Sequence, residues 1–157
     1  MNKNEINVYI EPKLQISLKA TWLKSTVNKI LSVLAIQIPS ELGVVITNNE
    51  VVQRLNKTYR DKDEPTDVLS FHMFPQQEKD TVFIAPPDGI AHLGEIVISY
   101  PQAVIQAEDK EHDIKHELLI LLSHGVLHLL DYDHEQSPQE EQRMKAREKE
   151  VLEKLMS

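Results

Sequence analysis

The chain has 157 residues, 41% of them hydrophobic, enough for one sizeable core and too few for two comfortable domains. A formal net charge of -8 and a sequence pI near 5.3 exclude a protein that coats nucleic acid through overall electrostatics, although a local basic site stays open. The absence of cysteine excludes disulfides and thiolate metal sites, so any transition-metal centre must be built from the seven histidines and the carboxylates.

Ile6, Val8 and Ile10 alternate with other residues and predict a first strand, which Pro12 ends. A helix is expected from about Ser17 to Leu34, then a strand over Leu42 to Ile46. Thr47-Asn48-Asn49-Glu50 fits a capping box, with Thr47 as the cap of a second helix that runs to about Tyr59. Around its end, Arg54, Lys57, Arg60 and Lys62 form a basic cluster diluted by Asp61, Asp63 and Glu64. Asp67 to Phe71 and Glu95 to Ser99 have the composition of buried strands. The stretch between them, with Pro75, Pro86, Pro87 and Gly89, predicts a long loop or lid.

Ser99 as a cap, Pro101 and Gln102 begin a third helix to about Glu108. From about Asp113 to Leu130 the chain is rich in Leu and Ile, the composition of a helix buried on most of its surface. Asp131 to Ser137 breaks that pattern, and Pro138 opens a last, largely solvated helix, Gln139 to about Met156. The expected architecture is α+β or mixed α/β in one domain, a sheet of about four strands packed against about five helices. The longest apolar run, Leu118 to Leu122, falls far short of a membrane span, and MNKNEINVYI lacks a signal peptide's apolar stretch, so a cytoplasmic protein is expected.

The segment HGVLHLLDYDH carries the chemistry. His124 and His128, four apart on one helix, can both reach one ion, and the chain must leave the helix after Leu130 to bring His134 to it. Three imidazoles leave a fourth position for water, the arrangement of a catalytic rather than a closed structural zinc site. Imidazole also suits nickel, copper and iron. The three histidines match the metzincin protease pattern HExxHxxGxxH, but Gly125 stands where the catalytic Glu belongs and Asp131 replaces the turn glycine. Glu117, two turns before His124, is a candidate to orient a ligand imidazole or else a capping or exposed Glu. His112 and His116 are expected as a surface pair. His72 and His92 flank the long loop and are placed to approach the site if it folds over as a lid, which their spacing does not show.

HGVLHLLDYDH, together with YRDKDEPTDVLSF at 59 to 71 and HLGEIVIS at 92 to 99, closely resembles the YbeY family of bacterial rRNA maturation factors. The resemblance implies a zinc-dependent endoribonuclease that cuts single-stranded RNA, matures the 3' end of small-subunit (16S) rRNA and acts in ribosome quality control. It implies ribosome or ribosome-associated partners, with neither DNA nor a membrane expected. It places the zinc ligands on His124, His128 and His134, and the arginine acting on the RNA phosphate on Arg60. Asp131 for a family Gly and Glu95 for a family Asp are departures from its pattern.

Arg60 and His128 are accordingly the expected catalytic residues, Arg60 clamping the phosphate through its planar fork. Asp131 and Asp133 are candidates to orient water or ligands, Asp133 equally to cap the turn. Two rivals stand beside this reading: a non-catalytic ribosome-assembly factor with a structural zinc, closed by Asp131 or Asp133, and a zinc metallopeptidase.

Overall fold

Residues of strand-forming type with every second side chain apolar build β1 (Glu5–Ile10) and β2 (Ser40–Thr47) in the computed structural model, which describes residues 4–64, 66–72, 89–130 and 138–156. Between them lie a single 3-10 turn, Pro12–Leu14, and α1 (Ala20–Val33). α2 (Asn49–Arg60) follows β2, and β3 (Val68–His72) and β4 (Ala91–Ser99) complete the sheet. The remaining helices are α3 (Tyr100–Asp109), α4 (Ile114–Leu129) and α5 (Pro138–Met156). Four strands in one mixed sheet and five helices bear out the expected fold class. No described helix is long and apolar enough to cross a membrane.

The sheet runs in the order β1-β2-β4-β3, with β1, β2 and β4 parallel and β3 antiparallel on β4. Alternation sorts its side chains into two apolar layers. Leu42, Val44, Ile46, Ile96 and Ile98 meet α1, α4 and α5 in the main core, while Leu69 and Val97 face Val52 of α2 in a smaller one. β3 is an edge strand that α4 grips from one side. Ser70 Oγ donates to the Gly125 carbonyl at 3.4 Å, and the His72 ring lies 2.7 Å from the His128 carbonyl.

Three boundaries depart from the expectation, each for a local reason. Leu14, Ile16 and Leu18 pack against the core while Gln15, Ser17 and Lys19 are exposed. That period of two is an extended chain, so α1 begins at Ala20 rather than Ser17. The cap of α2 is Asn48, whose side chain accepts from Val51 N at 2.9 Å, and Thr47 is instead the buried last residue of β2. β4 starts four residues earlier than expected, at Ala91, because a bulge lets the irregular stretch Ala91 to Gly94 stay paired with β2. Pairing passes from Glu41 with His92 to Leu42 with Gly94, leaving Leu93 as the extra residue. Gly94 takes φ +134, a region that favours glycine. Residues 73–88, most of the loop predicted between Phe71 and Glu95, and the break at 131–137 lie outside the described residues.

Candidate metal centre and its surroundings

α4 opens with Asp113, whose carboxylate accepts from His116 N at 2.8 Å, and its Leu-rich faces are buried on three sides. Residues 116, 120, 124 and 128 are only partly buried, a single stripe at four-residue spacing. His124 and His128 therefore stand on the accessible line of an otherwise enclosed helix. Their Nε2 atoms converge to 3.0 Å, with the rings edge to face at 4.4 Å between centroids.

Two nitrogens bound to one tetrahedral zinc at 2.0–2.1 Å lie roughly 3.3 Å apart, so this convergence fits a shared ion. His134, the third expected ligand, lies outside the described residues, as do Asp131 and Asp133. Among the described residues no group of three metal-ligating side chains gathers.

Position 125 faces the sheet. A Cβ there would sit 2.8 Å from Ile96 Cγ2 and 3.0 Å from its Cδ1, and Ile96 is fully buried. Glycine at this point lets α4 lie close on β4. The residue after the first histidine thus abuts the core, where a protease-type glutamate has no room.

The candidate for orienting His124 is Glu148 of α5, whose Oε1 is 3.6 Å from His124 Nδ1. Sequence reasoning missed it because α5 reads as a solvated face and Glu148 is far from His124 along the chain. Glu117 does something else. It lies two turns from His124, a rise of about 10.5 Å, and its buried carboxylate accepts from Gln106 Nε2 at 2.8 Å and lies 2.7 Å from His112 Nε2. Lys110 Nζ adds a contact at 3.3 Å. His112 and His116 stack at 4.0 Å between centroids, so the expected surface pair is a half-buried stack that closes over Glu117.

Burial pushes the Glu117 carboxyl up, but the hydrogen bonds from His112 and Gln106 and the charge of Lys110 outweigh it and hold the group below its ordinary value. A carboxyl lowered by folding stabilises the fold above its unfolded value, and that contribution is lost as pH falls through the lowered one. Glu117→Gln is expected to cost about 2–4 kcal/mol at neutral pH, with the deficit shrinking below about pH 4. Urea denaturation at the two pH values checks this, and a deficit independent of pH would deny the carboxylate charge any role.

Of the two histidines flanking the loop, His72 reaches α4. A carbonyl only accepts, so its Nε2 carries the hydrogen toward His128 O. His92 instead meets Glu41 of β2 at 2.5 Å. Arg60 is exposed at the end of α2, and its neighbour Tyr59 packs edge to face on Phe71 of β3 at 5.4 Å between centroids. Glu95 is exposed on β4.

A four-stranded mixed sheet flanked by helices, with a histidine pair converging on the open line of a buried helix, defines a candidate metal-site α+β protein. A family model described as Endoribonuclease YbeY matches residues 6–156. A protein of that name from Dehalococcoides mccartyi (strain BAV1) is 46% identical over 140 residues, covering 87% of this chain and 88% of its own. One from a Roseiflexus species (strain RS-1) is 38% identical over 154 residues, covering 98% and 94%. The chain belongs to the YbeY endoribonuclease family. The solution structure of a Thermotoga maritima protein shares the fold, with a TM-score of 0.57 at 22% identity over 96% of this chain and 91% of that one.

Proposed function

We propose that the protein is a zinc-dependent endoribonuclease that cuts single-stranded RNA, acting in small-subunit rRNA maturation and ribosome quality control in the cytoplasm. The observation that carries the metal site is the convergence of His124 and His128 Nε2 to 3.0 Å on the accessible stripe of α4. Family membership supports RNA as the substrate. His124, His128 and His134 hold the ion, and a zinc bound there supplies Lewis acidity, making an attacking water more acidic and offsetting phosphate charge.

The chain's own residues do the rest. Arg60 binds the phosphate through its planar fork and holds it for in-line attack. The His72 hydrogen bond to the His128 carbonyl ties β3 to the last turn of α4 and so steadies the second ligand. Glu148 orients the His124 ring from its Nδ1 side, leaving Nε2 directed into the site. Ribosomal partners supply targeting that a chain of net charge -8 cannot obtain from bulk attraction to RNA.

The test is cleavage of an end-labelled single-stranded RNA by wild type, by wild type stripped with chelator and then resupplied with zinc, and by Arg60→Ala. Loss on stripping, return with zinc and a large loss in Arg60→Ala support the proposal. Equal cutting in every sample indicates a contaminating nuclease and shifts support to a non-catalytic assembly role. Glu148→Ala is expected to weaken zinc binding about ten-fold, measured by competition with a chromophoric chelator. Unchanged affinity would remove Glu148 from the site.

A further inference from the structure

Tyr59 is the most exposed large hydrophobic residue described, at 68%, and burial does not account for its place on α2. Its ring is nevertheless held. It meets Phe71 at an interplanar angle of 70°, and Phe71 in turn packs on the small core under α2. An aromatic ring held by one such contact and still largely open to solvent is organised in advance for stacking with another flat, apolar group.

The surroundings point to what that group is. Arg60 follows in sequence, and Lys57, about two-thirds exposed, lies on the same turn. Phe71 and Tyr59 lie on the α2 face of β3, while His72 turns to the α4 face and touches the end of the histidine helix. β3 is the last strand of the sheet, so Tyr59 and the end of the histidine helix are linked through successive residues of one strand, Phe71 and His72.

Resting on the nuclease reading above, we propose that Tyr59, braced by Phe71, is a stacking platform for a base of single-stranded RNA next to the phosphate held by Arg60. Stacking does not depend on charge, which suits a protein whose net charge of -8 opposes RNA. It also selects single strands, because a base in a duplex has its faces already covered.

The experiment measures binding of a fluorescein-labelled single-stranded oligoribonucleotide by anisotropy in a His128→Ala background, with Tyr59→Leu, Tyr59→Phe and Arg60→Ala added singly, together with KM and kcat of each in the otherwise native protein. Tyr59→Leu keeps apolar bulk against Phe71 without a ring face, and circular dichroism verifies that it folds. The expected result is about ten-fold weaker binding for Tyr59→Leu, of the size of one stacked base, with near-native binding for Tyr59→Phe. The Leu loss should appear in KM more than kcat. It should also be the same at about 50 and about 200 mM salt, whereas the Arg60→Ala loss shrinks as salt rises.

Native binding by Tyr59→Leu alongside weakened binding by Arg60→Ala would overturn the platform and leave the nuclease reading intact. If the otherwise native protein neither binds nor cuts the RNA, both fall together.

Discussion

His128→Ala is expected to lower kcat/KM for RNA cleavage on the order of a thousand-fold while leaving the fold in place. The side chain is only partly buried and lies on the one accessible stripe of α4, so its removal opens no cavity in the core. Alanine is the best helix former, and the carbonyl that receives the His72 bond belongs to the backbone and survives the change. What disappears is one of two nitrogens converging at 3.0 Å, and with it half of the described histidine pair. Zinc content of the purified variant should fall in parallel, while its thermal midpoint without metal should match that of the metal-free wild type. A variant that retains both zinc and cleavage would refute the assignment of this residue.

The second large effect is on stability and lies far in sequence from His124 and His128. Gly94→Ala should destabilise the protein by at least about 3 kcal/mol. A Cβ at this position would stand 1.9 Å from the Phe71 carbonyl oxygen and 3.1 Å from His72 Cα, and φ +134 penalises any L side chain there. Neither β3 nor β4 can yield cheaply, since Ile96, Val97 and Leu69 on either side are buried. The strand that must move is the one carrying Phe71 and His72. Chemical denaturation should therefore show a lower midpoint, and any Gly94→Ala protein that still folds should lose activity beyond its loss of stability. An unchanged midpoint would mean that the bulge relaxes at no cost.

The histidine pair was legible in the sequence because a four-residue spacing on a Leu-rich helix has one geometric meaning. Ser99 and Pro138 likewise announced the starts of α3 and α5, and the side chain of Ser99 does accept from Gln102 N, at 3.3 Å. The start of α1 was placed three residues early, at Ser17, because Leu18 and Trp22 satisfy a helical count while Leu18 also continues the two-residue alternation of Leu14 and Ile16, and only packing distinguishes the two. Glu148 was hidden because nothing local marks a surface glutamate that meets a helix far earlier in the chain. Glu117 misled in the opposite sense. Its helical angle agrees with that of His124, but two turns of rise separate them, and α3 supplies nearer partners. The expected role of Arg60 came from family resemblance alone, whereas the histidine spacing by itself already pointed to a metal.

α2 ends at Arg60, and His128 stands in the last turn of α4. Helices carry partial negative charge at their C-terminal ends, where unpaired carbonyls collect. Both helix ends therefore favour cations, whether a guanidinium or a metal ion, and repel a bare phosphate. On the proposed reading, phosphate is attracted here by the cations that these ends hold: a metal-free protein lacking Arg60 would present two negative helix ends to a polyanion.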